Sequence, residues 1–185
     1  MALAGLAVYR RAVAARDAEI RPEFHGDDDP FDPGTLVEAR SVEDSKRVSA
    51  QSGPAVIISA SGMATGGRVL HHLAQRLSDA RHSVLLVGFQ VAGTRGRALA
   101  DGASALKLLG RYVPVRAEVV SFPGFSAHAD RAELLAWLGA APRPPQVVFA
   151  VHGEPAASAT LRDAIVSTLG WAAAVPHDME IVRVD

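Results

Sequence analysis

Apolar positions along this chain fall into short runs of two kinds, and their spacing predicts alternating helices and strands. The opening segment places Leu3, Leu6, Tyr9 and Val13 broadly on one face, the mark of a helix. Residues 24–34, FHGDDDPFDPG, join an acidic run to two prolines and two glycines, which predicts a surface loop. Residues 54–59, PAVIIS, form a continuous apolar run with β-branched members, and Gly62, Gly66 and Gly67 then precede a helical pattern at Val69, Leu70, Leu73 and Leu77. The same order of strand, glycine loop and helix returns with a strand over 83–88, a loop over 93–96 and a short helix over 97–100. Strands alternating with helices imply an α/β fold with a parallel-type sheet.

After Gly110 the texture changes. Residues 113–122 alternate apolar and polar positions like one strand with an exposed face, and a domain boundary is expected near Arg111. Beyond it, Asp130 with Glu133 three residues later predicts a helix start, with Leu134, Leu135 and Leu138 facing inward and Gly139 at the end. Residues 146–151 read as a buried strand. Pro155 suits the first turn of a helix running through Leu161, Ile165 and Leu169, capped by Gly170. Short strands at 172–175 and 181–184 complete the pattern.

Composition narrows the classes. With 185 residues, 49% of them hydrophobic, the chain can bury a core, as one domain or two small ones. A formal charge of −1 supplies no global attraction to nucleic acid, so RNA binding would need a local cluster or metal ions. There is no cysteine, which removes disulfides and thiolate zinc sites, leaves His and carboxylates as metal ligands, and is compatible with a cytoplasmic home. The longest apolar runs fall short of the roughly 18 residues that a membrane-spanning helix requires, so no membrane partner is expected.

Two histidines occupy positions where α/β proteins place function. His128 lies between a strand and a helix, and His152 directly follows a strand. Either could be a hydrogen-bonded loop histidine, but two at strand ends raise a shared site as an equal reading. A structure should then bring both to one edge of one sheet. Ser126 and the amides around it could donate to a phosphate or cap a helix. Asp130 and Glu154 could orient the neighbouring histidines, or serve as an N-cap and a solvated helix-start carboxylate. The glycine loops match neither the phosphate-loop nor the dinucleotide pattern, so turn geometry or contact with an RNA backbone remains, with Arg68, Arg95 and Arg97 as the cations. His71 and His72 are adjacent on a helix and point apart, and with His25, His82 and His177 they receive no chemistry.

These residues resemble a known family. GFSAHAD at 124–130 and VHGE at 151–154 look like motifs B and C of the β-CASP nucleases of the metallo-β-lactamase superfamily. ISASGMATGGR at 58–68 and VGFQVAGTRGR at 87–97 are similar to that family's glycine-rich segments, and the four matches occur in order. The resemblance is nearest to homologues of the cleavage subunit of the mRNA 3′-end processing machinery. It implies the distal part of a β-CASP domain over residues 1–111, followed over 112–185 by the C-terminal part of a metallo-β-lactamase αββα fold. It further implies hydrolysis of RNA phosphodiesters with two zinc ions, His152 as a metal ligand, His128 as the general acid at the leaving oxygen, and Ser126 with the three arginines on substrate.

The family's HxHxDH motif, a further His, a bridging Asp and the acidic motif A residue have no counterpart in the sequence. The expectation is a C-terminal portion that contributes at most one zinc ligand, is inactive alone, and has the absent metallo-β-lactamase half as its partner, with a homodimer as another possible association. The competing expectation from a different class is a non-catalytic RNA-binding or dimerisation module. Retention of both His128 and His152 favours the enzyme.

Overall fold

The computed structural model describes residues 2–26, 28–125 and 128–182. Packing divides the chain into two compact units, Met1–Phe125 and Ser126–Asp185.

The first unit opens with helix α1 (Ala2–Ala14), none of whose residues is buried. The Tyr9 ring lies 5.9 Å from that of Phe31, and Arg10 pairs with Asp29 at 2.7 Å, so the acidic loop folds back on the helix. Helix α2 (Val42–Ala50) starts at Ser41, which accepts from the Asp44 amide while the Asp44 carboxylate accepts from the Ser41 amide. This reciprocal cap satisfies two of the amides a helix start would otherwise leave unpaired. Periodicity overlooked α2 because the residue it buries is polar, Ser45. Helix α3 (Val69–Arg76) leads to strand β1 (Ser83–Leu86), and α4 (Arg95–Ala100) begins at Thr94, whose hydroxyl accepts from the Arg97 amide.

Strands β2 (Ala105–Leu108) and β3 (Arg111–Pro114) form an antiparallel hairpin with Leu108 opposite Arg111. Its two-residue turn has Leu109 at φ 49° and Gly110 at φ 83°, the positive pair that matches the natural twist of a hairpin. Strand β4 (Glu118–Ser121) runs parallel to β1, with Ser83 opposite Glu118 and Leu86 opposite Ser121. The core joins Leu77 and Ala74 from the α3 side to Leu86, Leu99, Leu106, Leu108, Val113 and Ala117. Leu77 and Leu108 have no exposed surface, and burial of each such side chain stabilises by about 1.5–3 kcal/mol.

In the second unit, α5 (Arg131–Gly139) packs on α6 (Pro155–Leu169), with Gly139 close to the Leu169 side chain. Strands β5 (Val148–Phe149) and β6 (Ala173–Ala174) are parallel and joined through α6, a compact strand, helix, strand unit. Gly170 ends α6 at φ 69°, the left-handed conformation that glycine adopts without a steric penalty.

The α/β class stands, with several differences from the sequence reading. Three two-stranded sheets form among the described residues instead of one parallel sheet. Residues 54–59 are not a strand, because no backbone ladder reaches them, and Val56 and Ile58 are 87% and 83% exposed. The single strand expected over 113–122 is two strands in two sheets, interrupted where Val115 donates to Ser104 and both Arg116 and Ala117 donate to the Leu77 carbonyl. The strand expected over 146–151 is confined to β5. Ile181 and Val182 are not in a strand, and the rest of the expected 181–184 strand lies outside the described residues. Packing divides the chain after Phe125 because β4 pairs with β1. No helix among the described residues is long and apolar enough to cross a membrane.

Candidate functional site

Each candidate histidine sits in a connection from a strand to a helix. His128 is three residues before α5, and His152 is three residues before α6, and both are exposed. The strands ahead of them belong to different sheets, β4 pairing with β1 and β5 with β6, so the expected single sheet edge is not what relates them. What relates them is the pair of helices they enter. Arg131 and Leu134 of α5, Val151 and Gly153 beside His152, and Ser158 and Leu161 of α6 line one cleft of about 470 Å³.

The local chemistry explains this arrangement. Asp130 is the N-cap of α5, accepting from the Glu133 amide at 2.9 Å while its own amide donates to Glu133 Oε2 at 2.8 Å. Its carboxylate is thus committed to the helix start, which is the capping role weighed from sequence. His152 adopts φ 67°, a conformation that costs a residue with a Cβ of order 1–2 kcal/mol. A Cβ on the next residue, Gly153, would collide with the hydroxyl of Ser158, which is 5% exposed. The loop therefore turns sharply on a tight seat against α6, and Pro155 begins the helix without needing an amide partner. Ser158 and Arg131 were not singled out from sequence. The only signal for either was position, Ser158 one turn after Glu154 in α6 and Arg131 directly after the cap.

The three arginines all make bonds within the first unit. Arg68 donates to the Ala39 and Ser41 carbonyls at 3.0 and 2.8 Å, tying the α3 entry to the α2 entry. Arg95 donates to Lys107 O at 2.9 Å and to Thr65 O at 3.2 Å. Arg97 pairs with Asp101 one turn ahead at 2.9 Å. Ser126 lies outside the described residues. Of the histidines given no chemistry, His72 has a structural one: its Nε2 is 3.0 Å from Ser45 Oγ and its Nδ1 is 2.9 Å from Ser49 Oγ.

Zinc held by nitrogen and oxygen takes about three protein ligands at a catalytic site. Among the described residues no group of three or more His, Asp or Glu is placed to hold an ion. By themselves these residues do not fit a zinc centre, although the His152 imidazole is a suitable single ligand.

The fold is α/β, with both histidines on loops that lead from a strand into a helix, the kind of loop on which such scaffolds present functional residues. Residues 1–99 match the Beta-Casp domain, residues 112–176 match the Zn-dependent metallo-hydrolase RNA specificity domain, and the chain belongs to the β-CASP metallo-β-lactamase family of RNA nucleases. It is 40% identical over 149 residues to Ribonuclease TTHA0252 of Thermus thermophilus, covering 80% of this chain and 34% of that protein. It is 28% identical over 166 residues to Transcription termination factor FttA of Methanocaldococcus jannaschii, covering 87% of this chain and 26% of that protein. An RNase J-like protein of the same archaeon is 36% identical over 123 residues, covering 66% of this chain and 28% of its own length. The chain thus spans about a third or less of these relatives.

Proposed function

We propose that this chain is the C-terminal portion of a zinc-dependent ribonuclease that hydrolyses RNA phosphodiester bonds. The observation that carries the reading is the cleft of the second unit, which is lined by both helices that the two histidine loops enter and lies in the segment matching the RNA specificity domain. Residues 1–111 are the later part of the β-CASP domain, and residues 112–185 return to the metallo-β-lactamase αββα fold. His152 supplies one zinc ligand. His128 donates a proton to the leaving oxygen. Ser126, Arg68, Arg95 and Arg97 face the RNA backbone, although the bonds that Arg68 and Arg95 make to carbonyls leave fewer of their donors for phosphate.

One imidazole holds zinc weakly, so the isolated chain is expected to leave labelled RNA uncut, and a polypeptide that also supplies an HxHxDH half is expected to cleave it. In that longer protein, His152→Ala removes a metal ligand and is read as zinc lost per molecule. His128→Ala keeps the zinc and slows cleavage by about 10²–10⁴-fold, the contribution of a positioned general acid. Equal metal loss in both variants would make His128 a ligand, and unchanged cleavage in both would overturn the assignment.

A further inference from the structure

The first unit carries a second cleft, far along the chain from both histidine motifs. It occupies about 360 Å³ and is lined by Lys46, Ser49 and Ala50 from α2, by Gln75 and Arg76 from α3, and by His82 ahead of β1. No carboxylate is among the lining residues.

Its charges are poorly compensated. Lys46 is exposed and makes no ion pair among the described residues, while its neighbour Arg47 pairs with Asp44. Arg76 donates one bond, from a terminal nitrogen to the Ser49 carbonyl at a long 3.3 Å, and its Nε is buried without a partner. Asp79 lies 4.0 Å from His82 Nε2 but is held by Arg81 through both oxygens, at 3.1 and 2.6 Å. A cation in the last turn of a helix offsets the helix dipole, which accounts for Arg76 at the end of α3 but not for Lys46 and His82 beside it. Two permanent positive charges and an imidazole, with the Gln75 amide adding neutral donors, form a concave site for an anion of phosphate size.

We propose that this cleft binds a phosphate group of the RNA backbone, as a subsite remote in sequence from the cleavage residues. The assignment rests on the RNA reading given above. Lys46 contributes a point charge and Arg76 the hydrogens of its terminal guanidinium nitrogens, with the buried Nε as a reporter of the change in charge around it. Contacts of this kind read no sequence and fix the position of the strand. The charge of the whole chain, −1, disfavours a polyanion, so a local cationic site of this sort is what association requires.

The test uses the 185-residue chain with two probes. Inorganic phosphate is titrated while the Arg76 Nε–Hε signal is followed by NMR, and a labelled single-stranded oligouridylate is titrated at several salt concentrations. The expected result is a saturable shift of the Arg76 signal. Lys46→Ala is expected to weaken the oligonucleotide about three- to tenfold and to lower the slope of log affinity against log salt by about one. Arg47→Ala, on the same helix but outside the cleft, keeps affinity within about twofold. Lys46 is exposed, so its replacement leaves folding intact, and circular dichroism verifies that. Equal losses in Lys46→Ala and Arg47→Ala would overturn the subsite while leaving RNA binding standing. Phosphate shifts without oligonucleotide binding would overturn the RNA assignment itself, and with it this use of the cleft.

Discussion

Gly153 and Ser158 are packed so closely that a methyl group on Gly153 would collide with the Ser158 hydroxyl and lie 3.4 Å from its amide nitrogen. Gly153→Ala must therefore push α6 away from the histidine loop or force Ser158 out of its buried position. The expected cost is about 1–3 kcal/mol, the usual range for overpacking, measured by urea unfolding. Adding Ser158→Gly should recover part of the loss. If Gly153→Ala alone leaves the midpoint unchanged, the loop does not sit on α6 as described.

The hairpin turn offers a change of opposite sign. Leu109 is an apolar residue with a Cβ, branched at Cγ, held at φ 49° and half exposed, where asparagine or glycine is better suited. Leu109→Asn should raise stability by about 0.5–1 kcal/mol, part of the cost that a left-handed backbone imposes on an ordinary side chain. A lower melting temperature for this variant would mean the turn adopts another geometry.

His72 should make stability depend on pH. Burial first, then the charges of Arg76, His71 and Arg68, pull its pKa below the ordinary 6.5. Its ring lies between the Ser45 and Ser49 hydroxyls, and a neutral imidazole can donate to one and accept from the other. Because the folded pKa is the lower one, the unfolded chain takes up the proton more readily. The stabilisation is therefore complete above about pH 6.5 and is lost as pH falls through the folded value. His72→Gln should flatten the stability profile on the acid side of neutrality, as read by unfolding curves across that range. A variant profile parallel to that of the parent would remove His72 as the cause.

Gly96 carries an analogous steric constraint in the first unit. A Cβ there would collide with the Gln90 side-chain carbonyl and come 3.1 Å from Met63 Cα. Gln90 is 8% exposed and has little room to retreat. Gly96→Ala should cost about 1–3 kcal/mol, detected as a lower thermal midpoint.

Elements held by their own periodicity were readable from the sequence. Helices α3, α5 and α6 lie where the apolar spacing and the caps at Asp130 and Gly170 place them. Helix α2 was not, because it hides Ser45 and not an apolar stripe, and the only local sign was Ser41 followed by Asp44. The β2–β3 hairpin was missed for another reason: Gly110 marks a turn equally well whether it separates two domains or two paired strands. Strand pairing is decided by partners distant in sequence, so nothing in residues 113–122 could say that its two halves join different sheets. The same limit applies to the site. The two histidine loops were legible as motifs, while the carbonyls that engage Arg68 and Arg95 lie up to 31 residues away along the chain.

The bonds of Arg95 have a mechanical consequence. Its guanidinium holds the Thr65 carbonyl of one glycine-rich segment from within the other, and the Gly96 amide donates to Met63 O at 2.9 Å immediately beside it. Two segments whose glycines would leave each free to flex are thereby riveted into a single plate. A ligand that ordered one of them would stiffen the other at little further entropic cost, and a disturbance at either would travel across that rivet to both.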